Sequence, residues 1–303
     1  MTKAKVRNTI HLSRSDIVFH VINYLLLTVS FLVILIPILN IISNSISDPA
    51  AVMLGQVGIL PIRPTLIAYQ YVLTNSQLLT GYGNSIFYTI CATLLALVLT
   101  LLAAYPLSKK DFAGRNVFTF IFSFTMLFGG GMVPTYLLIK DLGMLNTRWA
   151  MIIPSALSVW NVIMTRTFFQ SNIPDGICEA ANIDGADDIT TFIRVVLPLS
   201  KPIIAVMVLF YVVGNWNSYF NGLMYLTDSS LLPLQVVLRN ILTSAERLQE
   251  MQGQTTQDQN FQIQLVESMK YAIIVFASLP VLVLYPFVQK YFTQGIMIGS
   301  IKG

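Results

Sequence analysis

The chain is built from long apolar runs separated by shorter polar connectors. A helix needs around 20 apolar residues to cross the roughly 30 Å hydrocarbon core of a bilayer, and six runs are long enough. These runs cover about residues 17–42, 83–107, 117–139, 149–170, 202–226 and 271–293. The pattern predicts an all-α polytopic membrane protein with six transmembrane helices.

The first run lies near the N-terminus, where a secretory signal would also be found. It is longer than a signal-peptide core and no small-residue cleavage site follows it, so we expect it to remain as an anchor. Residues 1–16 are then a tail, and residues 17–303 form one transmembrane domain. Between the fourth and fifth runs lies a connector of about residues 171–201, called the acidic loop below.

Composition supports a membrane protein and excludes several functions. Apolar residues make up 55% of the chain and charged residues 11%, whereas soluble domains are about a quarter charged. The net charge of +4 is small and dispersed, so no nucleic-acid partner is expected. Cys91 and Cys178 are too few for a disulfide framework or a cysteine metal site. His11 and His20 have no carboxylate or cysteine at ligand spacing, so no metal site is expected there.

The basic residues predict which side of the membrane the termini face. With both termini in the cytoplasm, 12 of the 18 Lys and Arg residues lie in or beside cytoplasmic segments. These are Lys3, Lys5, Arg7, Arg14, Lys109, Lys110, Arg115, Arg166, Arg194, Lys201, Lys290 and Lys302, against Arg63, Lys140, Arg148, Arg239, Arg247 and Lys270 outside. Because loops rich in Lys and Arg stay inside, this bias predicts cytoplasmic N- and C-termini and a cytoplasmic acidic loop.

The two long outer connectors differ in character. Residues 43–82 contain three prolines and only two charges, which predicts a short ordered excursion along the membrane face. Residues 227–270 are more polar, with seven glutamines between Gln249 and Gln264 and the mixed segment LPLQVVLRNIL. The second connector either touches an external partner or is a solvated linker with one amphipathic turn.

The acidic loop concentrates charge that the rest of the chain lacks. Five of the 14 acidic residues fall within 14 positions, namely Asp175, Glu179, Asp184, Asp187 and Asp188. Their spacing is not that of a calcium loop, and no His or Cys supports a metal site. A general acid and base pair would have no nucleophile or pocket nearby to serve. The sequence therefore favours an element that interacts with another protein.

Two short helices joined at a glycine are predicted within the acidic loop. Pro174 is a plausible first residue of the first helix, and acids near its start suit the helix dipole. Gly185 can supply a sharp turn. Beyond it, apolar residues recur at helical spacing before a Leu-Pro pair is expected to end the second helix. This predicted apolar face comprises Ile189, Phe192, Ile193 and Val196, and the pair is Leu197 and Pro198.

These residues carry a family resemblance. The acidic loop resembles the cytoplasmic signature loop of ABC importer permeases. The shared pattern is Glu-Ala-Ala, three residues, Gly, nine residues, an aliphatic residue, one residue and Leu-Pro, with Val here in place of the usual Ile. The matching positions are Glu179, Ala180, Ala181, Gly185, Val195, Leu197 and Pro198. The fuller segment EAANIDGADDITTFIRVVLPLSKP is similar to the maltose-type carbohydrate-uptake family. FGGGMVPTYLLIKDLGMLN, WNSYFNGLMYL and YPFVQKYFTQGIMIGSIKG resemble its oligosaccharide and complex-glycan subgroup, so the likeness covers nearly the whole chain.

The resemblance implies a type I ABC importer permease fold in a bacterial plasma membrane, with the N-terminus inside. The implied partners are a homologous second permease subunit, two ATPase subunits, an extracellular solute-binding protein, a carbohydrate substrate and the lipid bilayer. The chain has no G-x-x-x-x-G-K-[ST] loop, so ATP and Mg would be bound by the ATPases and this chain would be neither an enzyme nor a cofactor carrier. The implied ATPase-coupling residues are Glu179, Ala180, Ala181, Asp184, Gly185, Leu197 and Pro198.

A polar cluster interrupts the fifth apolar run. The segment GNWNSYFNG places Asn215, Trp216, Asn217, Tyr219 and Asn221 where amides are costly unless they pair or line a wet cavity. Amides and aromatic rings are what a sugar site uses, so these residues are candidates for the solute path. Amides also hold transmembrane helices together, and that alternative stays open. In the third run, FGGGMVP is expected to act first in packing or as a hinge, with solute contact as the second alternative.

Two other classes of function remain as alternatives. A stand-alone secondary carrier or channel usually needs an ionisable residue at mid-membrane, and none of the six runs has a convincing one at its centre. A membrane-embedded enzyme would need a His, Cys or carboxylate constellation within the runs, and none is visible. Co-purification of an ATPase would distinguish an importer from both.

Overall fold

The computed structural model describes residues 13–250 and 257–299. These ranges contain no strand, which confirms the predicted all-α class, and they form fifteen α-helices and one π-helical segment, Phe192–Val196. The α-helices are α1 Arg14–Ser45, α2 Pro49–Met53, α3 Ile67–Thr74, α4 Ser76–Ser108, α5 Arg115–Leu127, α6 Met132–Asp141, α7 Trp149–Ile152, α8 Val159–Asn172, α9 Asp175–Ile183, α10 Asp188–Thr191, α11 Leu197–Leu199, α12 Lys201–Trp216, α13 Tyr219–Tyr225, α14 Leu234–Glu250 and α15 Gln257–Gly299. Most of the predicted N-terminal tail and residues 251–256 of the glutamine-rich connector lie outside the described residues.

The described residues divide into two compact units. One contains residues 13–70 and 257–275, and the other contains 71–250 and 276–299. In the first unit, the outer connector folds back on the end of α1, because the Asn40 amide donates to the carbonyls of Val57 (3.2 Å) and Gly58 (3.0 Å). The Ser47 hydroxyl accepts from the backbone N–H of Ile62 at 3.0 Å. The connector is therefore ordered, as its prolines and low charge predict.

Three helical stretches are long and apolar enough to cross a membrane: Arg14–Ser45, Ser76–Ser108 and Ile263–Phe287. Two bent pairs could each serve as one further span, which gives up to five within the described residues. The first pair is α5 with α6, bent by 111°, and the second joins the helical stretch Asp188–Leu199 to α12 at 80°. The prediction of six crossings stays a prediction.

The breaks have local causes. Residues 117–139, predicted as one helix, are interrupted between α5 and α6 by three glycines, and Gly131 has a φ of 85°, which removes it from the helical region. Residues 149–170 are interrupted between α7 and α8, where Pro154 lies. The 14 residues of α8 rise only about 21 Å, less than a bilayer core. Residues 202–226 are interrupted between Trp216 and Tyr219.

Helix α4 is the scaffold of the second unit, and α12, α8 and α14 pack along it. Small buried residues on α4, such as Ala92, Ala96 and Ala104, allow close helix approach. Hydrogen bonds join the same helices, since the Tyr211 hydroxyl of α12 lies 2.6 Å from the Thr100 hydroxyl of α4. The acidic loop lies at the C-terminal end of α4, and α13 and α14 lie toward its N-terminal end.

Candidate functional sites beside helix α4

The acidic loop folds as two short helices joined by a glycine turn. The first, α9, begins at Asp175 directly after Pro174. Gly185 has a φ of 83°, a conformation that costs a residue with a Cβ, so the glycine is what permits the turn. The second helix, α10, is capped by Asp187, whose side chain accepts from the backbone N–H of Thr190 at 3.0 Å. Of the acidic cluster, Asp187 therefore has a local structural role.

The tip of the acidic loop is exposed and mixes charge with apolar side chains. Glu179 and Ala180 are exposed, Ala181 is half-buried, and Asp184 and Gly185 are exposed. Two isoleucines stand beside them, Ile183 at 86% exposure and Ile189 at 67%. Glu179 makes no ion pair with any residue that the structure describes. Apolar side chains this exposed, rimmed by charge, are typical of a surface that binds another protein.

The opposite side of the acidic loop is buried in the second unit. Cys178, Phe192 and Val196 are at most 9% exposed and pack with α4, α8 and α12. The ring of Phe192 lies 4.7 Å from that of Tyr105 on α4. The loop thus has an inner face that anchors it and an outer face that is free.

The apolar face predicted beyond Gly185 was wrong in one respect, because its four residues do not share one side. Phe192 and Val196 are buried, whereas Ile189 and Ile193 are exposed at 67% and 55%. A π-helical segment spans Phe192–Val196 and widens the turn, so α-helical spacing does not describe which residues lie together. Half of the predicted face anchors the loop and half remains open.

The Leu197-Pro198 pair does not end the second helix as expected. The helical path continues through α11, where Leu197 is half-buried and Pro198 is exposed, and it turns at Ser200. Because proline has no N–H to donate, the backbone register shifts just before it, and the Leu197 N–H bonds to the Phe192 carbonyl, five residues back. The pair therefore marks a change of helix type and precedes the 80° bend into α12.

Polar contacts also hold the acidic loop to the end of α4. Lys110 Nζ lies 2.8 Å from Asp175 Oδ2, and this hydrogen bond and charge lower the pKa of the Asp175 carboxyl. The Nε groups of Arg115 and Arg166 donate to the Leu107 carbonyl at 3.2 and 3.0 Å. Carbonyls at a helix C-terminus lack helical partners, so these guanidinium groups satisfy one of them and gather α4, α5 and α8.

No metal centre is formed in the parts of the chain that the structure covers. Residues 13–250 and 257–299 contain no group of three or more His, Cys, Asp or Glu side chains arranged to hold a metal ion.

A second candidate site is a cavity of about 670 Å³ between α8, α12 and α13, called the amide cavity below. Its volume is within the range of small-molecule sites. The lining has four asparagines, three serines, four aromatic residues and no charged residue. The full lining is Ser155, Leu157, Ser158, Asn161, Phe210, Tyr211, Gly214, Asn215, Asn217, Ser218, Tyr219, Phe220 and Asn221.

Two of the predicted solute-path residues hold helices together. Asn215 is buried and its amide donates to the Thr93 hydroxyl of α4 at 3.3 Å, although it also borders the amide cavity. Trp216 is 4% exposed, and its indole N–H donates to the Ala277 carbonyl of α15 at 3.0 Å. Trp216 does not line the amide cavity. The packing alternative therefore describes Trp216 fully and Asn215 in part.

The other predicted residues line the amide cavity. Asn217 is exposed at the end of α12, where its amide donates to the Val213 carbonyl at 2.9 Å. Tyr219 and Asn221 are half-buried on α13. The amide of Asn221 makes no hydrogen bond to another described residue, so it is available to a ligand. Hydroxyl groups of a sugar could be met here by amides and aromatic faces together.

The sequence analysis missed the α8 side of the amide cavity. Asn161 is 6% exposed, and within the described part of the chain its amide has no hydrogen-bond partner. Its amide N and O are not among the fully enclosed polar atoms without a partner, so they face the open space of the amide cavity and can meet a ligand there. Ser155, Ser158 and Asn161 recur every third residue within an apolar run, and that spacing was the signal available.

Comparisons with known proteins fit this arrangement. The family described as "Binding-protein-dependent transport system inner membrane component" matches residues 96–298. Protein LplC of Bacillus subtilis is 42% identical over 98% of this chain and 99% of its own length. The polygalacturonan/rhamnogalacturonan transport system permease protein YtcP of the same species is 38% identical over 94% of this chain and 98% of its own. A chain in the crystal structure of a bacterial ABC transporter involved in the import of the acidic polysaccharide alginate is 37% identical, with a TM-score of 0.83, over 94% of this chain and 100% of that one.

Proposed function

Because this chain belongs to the family of binding-protein-dependent transport system inner membrane components, we propose that it is the permease subunit of an ATP-driven importer for oligosaccharides or related glycans. It is a non-catalytic, multi-pass membrane subunit, and ATP hydrolysis takes place on a partner ATPase. The alternative of a stand-alone carrier or channel has no comparable support.

The observation that carries the proposal is the acidic loop. Its family signature falls on a surface that is anchored from within by Phe192 and Val196 and exposed at Glu179 and Ile183. A protruding surface that is anchored to the helices behind it in this way is suited to docking into a cleft of an ATPase. ATP-driven closure there would tilt the attached helices and open the amide cavity alternately to each side of the membrane.

The assembly proposed around this chain has a homologous second permease, two ATPase subunits and an extracellular solute-binding protein. Six membrane crossings with cytoplasmic termini are part of the proposal, and they require the bent helix pairs and α8 to complete spans. The excess of basic residues on the proposed inner side supports this orientation.

A carbohydrate substrate is supported by the amide cavity and by the names of similar proteins. Asn161 and Asn221 offer amides that no described residue occupies, and Tyr219 and Phe220 offer ring faces. The similar proteins named above include permeases for polygalacturonan or rhamnogalacturonan and for alginate, and a further relative is named for arabinooligosaccharides. The amide cavity is the proposed solute path, with Asn215, Asn217, Tyr219 and Asn221 on it and Trp216 behind it.

Purification from native membranes through a tag on this chain tests the proposal. An ATPase and a second permease should co-purify, and ATP hydrolysis in proteoliposomes should rise when a sugar-loaded binding protein is added. Adding the same binding protein without sugar is the control. Sugar movement driven by an ion gradient, in vesicles containing this chain alone, would favour the carrier instead.

A further inference from the structure

One cationic side chain stands at the edge of the neutral amide cavity. The guanidinium of Arg239, on α14, lies 5.8 Å from the ring centre of Tyr219, and Tyr219 lines the cavity. Arg239 is exposed, and it forms no ion pair with any carboxylate among residues 13–244 and 263–287, whose side chains the structure describes. A positive charge therefore faces the rim of a cavity whose own lining carries no charge.

From this placement we propose that Arg239 determines substrate specificity by binding a carboxylate, and that the importer's substrate is an acidic oligosaccharide containing uronic acid. The inference rests on the proposed function, since it names the substrate class of the same amide cavity. It makes Arg239 a residue that touches the solute as it enters.

The helix that carries Arg239 is held in place by hydrogen bonds to α4. The backbone N–H of Leu234, the first residue of α14, donates to the Ser85 hydroxyl of α4 at 2.8 Å. The Asn84 amide donates to the carbonyls of Ser230 (2.8 Å) and Leu232 (3.1 Å) just before the helix. The first turns of α14 are therefore fixed to α4 and do not behave as a solvated linker.

Close glycine contacts fix the same helix from a second side. A Cβ on Gly222 of α13 would lie 2.5 Å from Pro233 Cγ, so only glycine lets the start of α14 approach this closely. On α4, a Cβ on Gly81 would lie 3.0 Å from Val237 Cγ2. Arg239 lies about half a turn beyond Val237 and so extends from a helix held by both α4 and α13.

The cation–π contact with Tyr219 holds the Arg239 guanidinium at the cavity rim, where it can meet a carboxylate. A guanidinium held against an aromatic ring in this way loses none of its N–H donors, because the ring accepts no conventional hydrogen bond from it. That planar fork matches the two oxygens of a carboxylate, which lysine does not. A neutral sugar would gain little from the charge, whereas each uronate residue carries the group that the fork binds. The unoccupied amides deeper in the cavity would then meet the hydroxyls.

The test uses the complete transporter in lipid nanodiscs without its binding protein, so that the binding protein's own selectivity does not enter. Saturation-transfer NMR compares an oligogalacturonate with its methyl ester, which has a similar shape without the charge. The wild-type transporter should bind the uronate more tightly than the ester. Arg239→Gln should weaken uronate binding about tenfold and leave the ester unchanged, and Arg239→Lys should fall between them.

Arg148→Gln is the matched control, because Arg148 is also exposed and its guanidinium lies 4.9 Å from the centre of an aromatic ring, that of Phe87, but it does not line the amide cavity. It should leave both affinities unchanged. Equal binding of acid and ester, an unaltered preference in Arg239→Gln, or binding of neither sugar would overturn the inference. Each of these results leaves the proposed function standing if an ATPase co-purifies and neutral sugar is imported, so the two failures are distinguishable.

Discussion

The acidic loop lies at the C-terminal end of α4 and the amide cavity beside its middle, and the two regions direct their polar groups in opposite ways. The loop turns its apolar anchors inward, at Phe192 and Val196, and leaves Glu179 without a partner among the described residues. The cavity turns polar groups inward and leaves the amide of Asn161 without one. In both regions the side chains whose contacts lie within the chain hold the structure. Those without a partner among the described residues are candidates for contact with another molecule.

Reversing the charge at the tip of the acidic loop should have the largest effect. An exposed carboxylate without a partner in the described chain is expected to pair with a basic residue of the ATPase. Glu179→Lys would then place two positive charges together, so we expect it to abolish sugar uptake and sugar-stimulated ATP hydrolysis. Folding should be retained, since Glu179 is exposed and anchors nothing. Uptake into proteoliposomes and thermal unfolding of the purified complex measure the two properties.

Asp187→Asn is the control for Glu179→Lys, since it changes a carboxylate of the same loop that caps α10 from within. Asparagine caps a helix about as well as aspartate, so uptake should persist. Normal uptake by Glu179→Lys would remove the acidic loop from the coupling mechanism.

The shape of the amide cavity depends on how tightly α13 packs against α14. Gly222→Ala places a methyl group within 2.5 Å of Pro233, and such overpacking typically costs about 1–3 kcal/mol. We expect a lower unfolding temperature, together with weaker uptake because the cavity rim moves.

Gly83→Ala is the matched control for Gly222→Ala. Gly83 is exposed on helix α4 and a Cβ there would meet nothing within 4 Å. Since alanine favours a helix over glycine by up to about 1 kcal/mol, this variant should be as stable as the wild type or more so. Equal unfolding temperatures for the two variants would show that the close contact between Gly222 and Pro233 does not hold α14 in place.

The acidic loop and the amide cavity differ in how much of their structure could be predicted from the sequence. The acidic loop is local in sequence, so Pro174, the glycine turn at Gly185 and the exposure of Glu179 could all be predicted from one stretch. What escaped was the π-helical segment, because α-helical spacing placed Ile189 and Phe192 on one face. A backbone register change near a proline is set by hydrogen bonding, which residue patterns do not record.

The amide cavity could be predicted only in part because it is assembled from distant segments. Tyr219 and Asn221 lie in one conspicuous motif, whereas Asn161 comes from α8 and was hidden in an apolar run. Trp216 bonds to Ala277, which is 61 positions away, so the sequence could not decide between packing and solute contact. Composition predicts that such polar groups need partners, and only the fold shows which of them have one.

Two asparagines of the amide cavity provide the finest test of the rule that satisfied groups hold the structure and unsatisfied groups serve the ligand. Asn215→Ala breaks the hydrogen bond to Thr93 and should cost about 1 kcal/mol of stability, which a lower unfolding temperature would reveal. Asn161→Ala breaks no bond to a described residue, so stability should be unchanged or raised, while uptake should fall because a sugar hydroxyl loses its partner. The reverse pattern, with Asn161→Ala less stable and transport intact, would mean that the buried amide serves the fold and that the cavity is not the solute path.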